Sequence, residues 1–207
     1  MHLTRLCGVL LVQTLVSIAS EEDSFSISEE HQLVKGRLLH TFPVLAKEWK
    51  VSFEVKPSRF EDGWRNILRL WYPSGATNTG VSCLSISIQS SWQCNHRQQC
   101  FITPIKLAFQ FTPDGHQKKT FYVHSIPQLN EWTKIEVSQK LDGNTYKILF
   151  NDGTIAKEVP RPKIFEGVKV YASNPWNEPQ PGKIRDLRLT NLNRGEYIIL
   201  CHATSLT

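Results

Sequence analysis

Val168-Lys-Val-Tyr-Ala-Ser-Asn-Pro-Trp-Asn-Glu-Pro-Gln-Pro-Gly-Lys-Ile-Arg-Asp-Leu-Arg-Leu-Thr190 reads as a strand, a proline-rich loop and a second strand. Pro175, Pro179, Pro181 and Gly182 restrict the φ angles of that loop, so Trp176 and Asn177 would be presented at low entropic cost. Upstream lies a meander. Asp142-Gly143-Asn144 precedes Tyr146, Ile148 and Phe150, and Asn151-Asp152-Gly153 joins that run to Ile155–Val159; such dipeptides supply the positive φ that tight hairpins require. Pro160 and Pro162 then break the chain before the quoted stretch.

The same period continues toward the N-terminus. Trp49, Val51, Phe53 and Val55 alternate with Lys50, Ser52, Glu54 and Lys56, the pattern of a half-buried antiparallel strand. Further strands are predicted over Trp64–Tyr72, Val81–Ile88, Ile102–Phe111, Thr120–His124, Trp132–Gln139 and Tyr197–Cys201. In Trp132–Gln139, Ile135 and Val137 should point inward while Lys134, Glu136 and Gln139 face solvent. Val34–Leu45 lacks helical periodicity and is interrupted by Pro43, and around Phe25 and Ile27 the sequence allows one edge strand. About a dozen short strands with turn residues between them argue for an all-β protein of two packed antiparallel sheets. An α/β fold would need helical periods between the strands, and none is present.

The chain has 207 residues, 40% of them apolar, enough for one core and one domain. Residues 6–19 are apolar or small after His2 and Arg5, and the acidic triplet Glu21, Glu22, Asp23 follows. With Ser17 and Ala19 as the small residues, this predicts a signal peptide over 1–19, cleaved after Ala19 and too short for a comfortable membrane span, the alternative being a retained signal anchor. The mature chain is then expected to be soluble and extracellular, with no membrane span. Loss of Arg5 leaves 23 basic against 19 acidic residues, a net charge of +4. That charge is spread along the sequence, its densest point being Lys118-Lys119, which is too small for a nucleic-acid footprint. A heparin-like glycan would still feel the net charge.

Four cysteines remain after cleavage, Cys83, Cys94, Cys100 and Cys201, and in an oxidising compartment they predict two disulfides with three connectivities open. Cys94 and Cys100 enclose five residues, as a loop staple would; Cys83–Cys201 is then a clamp on the C-terminal strand. The spacings are not the paired knuckles of a zinc site, so no metal is expected.

Catalytic constellations are missing. Glu54 and Glu136 are isolated strand carboxylates with lysine neighbours, Glu61-Asp62 belongs to a turn, no Gly-x-Ser-x-Gly occurs, and the histidines are dispersed. Trp49, Trp64, Trp71 and Trp132 stand in apolar company, as core or sheet-rim packing would place them. Trp92 and Trp176 stand in polar loops. A sugar face can stack on such a ring while amides and guanidinium groups bond its hydroxyls, so Trp92, Asn95, Arg97, Trp176 and Asn177 are the candidate ligand-binding residues; the competing role of a loop tryptophan is a plug over its own sheet. No Asn-x-Ser/Thr sequon is present.

The series Glu48–Lys56, Trp64–Leu70, Glu131–Ser138, Tyr146–Asn151, Val168–Trp176 and Gly182–Leu187 resembles the concanavalin A-like, laminin-G-like jelly roll, most of all its single-domain secreted forms in marine invertebrates. The resemblance covers residues 33–192. It implies a domain over 33–207 preceded by a mature N-terminal segment, 20–32, and a curved sandwich that binds glycans or proteins. Relatives often carry a rim calcium, for which Asp152, Asn174, Asn177 and Asp186 are the oxygen donors, without a dense acidic loop. Hydrolases on this fold carry Glu-x-Asp-x-x-Glu on one strand, and this sequence has no such triplet. The expectation is a secreted, non-catalytic, lectin-like module that recognises an extracellular glycan or matrix protein. The alternatives are a structural component of an extracellular or biomineral matrix and a glycoside hydrolase-related sandwich.

Overall fold

The computed structural model describes residues 24–73, 80–124, 126–142, 145–151, 155–159 and 161–192. The expected signal peptide, Asp152, the Tyr197–Cys201 strand and Cys201 lie outside the described residues.

The described chain forms thirteen strands: β1 (Ser24–Ile27), β2 (His31–Gln32), β3 (Arg37–Leu45), β4 (Trp49–Pro57), β5 (Gly63–Tyr72), β6 (Val81–Cys94), β7 (Cys100–Phe111), β8 (Lys119–Val123), β9 (Thr133–Asp142), β10 (Thr145–Phe150), β11 (Ile155–Val159), β12 (Phe165–Ala172) and β13 (Gly182–Asn191). They build an antiparallel jelly-roll sandwich. A seven-stranded sheet runs β1-β13-β4-β9-β10-β11, with β2 also on β13, and a six-stranded sheet runs β3-β12-β5-β6-β7-β8. The two strands of the 168–190 stretch go to opposite sheets, β12 beside β5 and β13 beside β4, so the proline-rich loop crosses from one layer to the other.

The alternation predicted for Trp49–Lys56 is realised along β4, whose odd residues are buried. They meet Leu84, Ile86, Ile88 and Phe109 of the other sheet in one core that also takes in Ile135, Val137, Ile148, Ile184, Leu187 and Leu189. Burying each such side chain contributes about 1.5–3 kcal/mol.

Three sequence expectations need correction. Pro43 does not interrupt a strand: β3 runs through it because β3 is a sheet edge, and Pro43 falls outside the Phe42↔Val168 and Val44↔Glu166 pairs with β12, where its missing N–H costs no ladder bond. Strand β6 continues past Ile88 to Cys94 because β7 pairs with it from Leu84 to Cys94. Gln139 is buried, its amide donating to the Lys47 carbonyl at 2.6 Å, and Glu136 is buried with Lys50 at 2.6 Å, so neither stands free in solvent.

Cys94 and Cys100 face each other at the end of the β6–β7 ladder and are joined by a disulfide. Because the bond closes so short a loop at a hairpin tip, its reduction should lower stability by about 2 kcal/mol or less, measured by urea unfolding with and without reductant. Cys83 is a buried free thiol that burial pushes far above its ordinary pKa, so it stays protonated at neutral pH.

Candidate functional site: a basic groove on the six-stranded sheet

In β6, Leu84, Ile86 and Ile88 point into the core, so the residues between them, Ser85, Ser87 and Gln89, point to the other face of the sheet. Their ladder neighbours extend this polar face in three rows. One runs Tyr171, Arg69, Ser85, Gln110, Thr120; the next Asn66, Ser87, Ala108, Tyr122; the third Trp64, Gln89, Lys106. The middle strands contribute short side chains and the margins contribute long ones. The result is a groove of about 560 Å³, with Ser85 and Ser87 among its lining and Trp64, Arg65, Arg69, Lys118 and Trp176 around them.

A bulge makes the arrangement possible. Asn66 and Arg69 are three residues apart and would face opposite ways in a regular strand. The register against β6 shifts between Asn66 and Leu68, so Asn66 opposes Ser87 while Arg69 opposes Ser85. An extra residue that re-aims a side chain is the usual consequence of a β-bulge. Asn66 Nδ2 then donates to Ser85 Oγ at 2.8 Å and to Ser87 Oγ at 3.0 Å, while its buried Oδ1 has no partner.

The proline-rich loop forms one wall. Where β12 ends, the loop replaces it beside β5: the Ser173 amide donates to the Ile67 carbonyl at 2.7 Å and the Gln180 amide to the Asn66 carbonyl at 2.8 Å. Asn174, fully buried, accepts from the backbone amides of Trp176 and Asn177 at 2.8 and 2.6 Å. These bonds, in addition to the prolines, aim Trp176 and Asn177 at the groove. The Trp71 indole meets Trp176 edge-on at 5.4 Å between centroids, and it lies where a Cβ on Gly80 would stand.

Cations gather on this face. The Arg69 guanidinium sits 4.8 Å from the Trp176 ring centre, Lys169 Nζ 5.6 Å from that of Trp71, and Lys106 Nζ 4.1 Å from Tyr122 and 5.8 Å from Trp64. Arg65 pairs with Glu61 at 3.4 Å. Of the lining residues Glu178 alone carries a carboxylate, and Lys35 holds it at 3.0 Å. Burial lowers the pKa of Arg69 from its ordinary value, yet a guanidinium remains charged at any physiological pH. Part of the charge that is spread in the sequence is thus brought together on this face, while Lys50, Lys56, Lys183 and Arg185 belong to the seven-stranded sheet.

Of the five candidates from the sequence, Trp176 and Asn177 line the groove and Trp92, Asn95 and Arg97 do not. Trp92 lies seven residues beyond Ser85 on β6, about 23 Å of strand. Asn95 is committed to its own turn, where its Oδ1 accepts from the Arg97 and Gln99 amides at 3.0 and 3.1 Å. Trp64, read from sequence as core or rim packing, is 43% exposed and lines the groove. Arg65, Asn66, Arg69, Ser85, Ser87, Gln110 and Lys118 were not singled out. Their signal was the polar residue set between core residues, as in Leu68-Arg69-Leu70 or Phe109-Gln110-Phe111.

Of the four oxygen donors offered for calcium, Asp152 lies outside the described residues. Asn174 Oδ1 is occupied by two amides and Asp186 is 3.4 Å from Arg185. Among the described residues no cluster of three His, Cys, Asp or Glu side chains could hold a metal.

The chain is thus an antiparallel jelly-roll β-sandwich with a basic, aromatic-walled groove on one sheet. Its sequence matches no family model and no curated protein. Solved structures resemble it at the level of fold. The receptor-binding domain of botulinum neurotoxin type G aligns over 84% of this chain at 10% identity and a TM-score of 0.49, and this chain spans only 42% of that one's length. A heptameric SAP-like pentraxin from Limulus polyphemus aligns over 84% of this chain and 80% of its own, at 15% identity and a TM-score of 0.47. The CBM40 of a Ruminococcus gnavus IT-sialidase, bound to α2,3 sialyllactose, covers 84% and 92% at 11% identity and a TM-score of 0.44.

Proposed function

We propose that this chain is a secreted, non-catalytic glycan-binding module whose binding face is the groove of the six-stranded sheet. The observation that carries the reading is the pairing of two half-exposed indoles, Trp64 at 43% and Trp176 at 48%, with a lining of short polar side chains between them. Indole faces suit the apolar faces of sugar rings, and Ser87 and Gln110 offer hydroxyl partners. The Cys94–Cys100 disulfide supports an oxidising, extracellular setting. The non-catalytic part rests on the carboxylates: glycoside hydrolysis uses two across the scissile bond, whereas Glu178 is tied to Lys35 and Glu54 to Arg185 at 2.7 Å.

A glycan array with the folded protein, repeated with single variants, tests this. Trp176→Ala or Trp64→Ala should weaken binding at least about tenfold, and Trp92→Ala should leave it unchanged. If Trp92→Ala alone abolished binding, the site would be the β6–β7 tip, where Trp92 and Phe101 are 58% and 53% exposed.

A further inference from the structure

We infer that the groove selects anionic sugars, seating a carboxylate or sulfate ester against Arg69. This rests on the glycan reading above and adds the chemical class of ligand.

Arg69 is half-buried and has no ion pair with any described residue, and its Nε is buried without a partner. A partly desolvated cation without a counter-charge is costly, and an incoming anion relieves that cost. The Trp176 ring beside the guanidinium restrains it, while the planar fork of donors matches two oxygens of a carboxylate or sulfate at once. The surroundings reinforce this choice. Arg65 and Lys118 line the same groove, Lys106 borders it in the Trp64 row, and the one lining carboxylate is already neutralised. A neutral sugar would satisfy the tryptophans and leave this excess of positive charge unanswered. An anionic one uses both.

Isothermal titration of the full folded chain with three hexasaccharides decides it: hyaluronan, which carries carboxylates only; a sulfated galactan, which carries sulfates only; and uncharged cellohexaose. At least one anionic probe should bind tenfold or more tighter than cellohexaose, with an affinity that falls as salt rises from about 50 to about 200 mM. Which of the two binds names the anion. Arg69→Gln should bring the affinity for that anionic probe down to the level of cellohexaose with the same variant, and Lys118→Gln, on an exposed side chain, should reduce the preference severalfold with the same melting temperature as the parent. Equal affinity for charged and uncharged probes would overturn the anion inference and leave the glycan reading standing. Silence toward all three, in protein that melts cooperatively and also stays silent on the array, would overturn both.

Discussion

Phe109→Ala is expected to lower the unfolding free energy by about 3–5 kcal/mol, a large share of the roughly 5–15 kcal/mol that holds a domain of this kind folded. Phe109 lies on β7, is fully buried, and stacks on Phe121 of β8 at 4.9 Å. It also meets Phe150 of β10 at 4.9 Å, across the interface between the sheets. Truncation removes the hydrophobic transfer term and leaves a cavity at the seam. Backbone ladders on both sides of β7 hold that seam open, so collapse is limited. Phe109→Leu keeps most of the volume and should cost about 1.5 kcal/mol or less. Urea unfolding of both variants makes the comparison, and a loss below about 1 kcal/mol for the alanine variant would show that the two sheets do not meet through this ring. Because the next residue, Gln110, points into the groove, the alanine variant should also weaken glycan binding at temperatures where it remains folded.

The sequence was most readable where one side chain settles one face. Trp49–Lys56 could be assigned because its polar side faces solvent and its apolar side faces a core, and the structure buries those residues in that order. The 142–159 meander was visible because its turns need residues that tolerate positive φ. The groove was harder to see, since it is a property of pairing and not of any strand. Arg69, Ser85 and Gln110 lie within 42 residues of sequence, each in a separate strand, and become neighbours only through the registers of β5, β6 and β7. The bulge that puts Asn66 beside Arg69 has no local signature, because Asn66-Ile67-Leu68 reads as an ordinary strand. Trp64 was misread for a related reason: apolar company in sequence describes the alternate face of a strand as well as its own. Pro43 misled because a proline's cost depends on whether its strand is central or at an edge, which only the sheet order shows.

Gly182→Ala should cost about 3 kcal/mol or more, the second large effect, and it bears on the loop that forms the groove wall. Gly182 opens β13 with a φ of +150, a conformation that L residues avoid. A Cβ there would collide with the Lys56 carbonyl oxygen and stand 2.9 Å from Pro57 Cα, both of them backbone atoms of the paired strand β4 that cannot swing aside. Conformational strain and overpacking each contribute on the order of 1–3 kcal/mol. Gly63 separates the two. Its φ is +84, but a Cβ there would meet nothing within 4 Å, so Gly63→Ala should carry only the conformational part, about 1 kcal/mol. Equal losses for the two variants, read from thermal melts, would mean that the close approach of β13 to β4 is not the constraint. If instead Gly182→Ala is much the worse, the release will spread from that pair. Leu33 donates to the Gly182 carbonyl and Ser58 to that of Pro181, each at 3.0 Å, so moving Gly182 loosens the exit of the Ser173–Pro181 loop. Trp176 then loses its fixed place over Arg69, and ligand affinity should fall together with stability in this variant while remaining unchanged in Gly63→Ala.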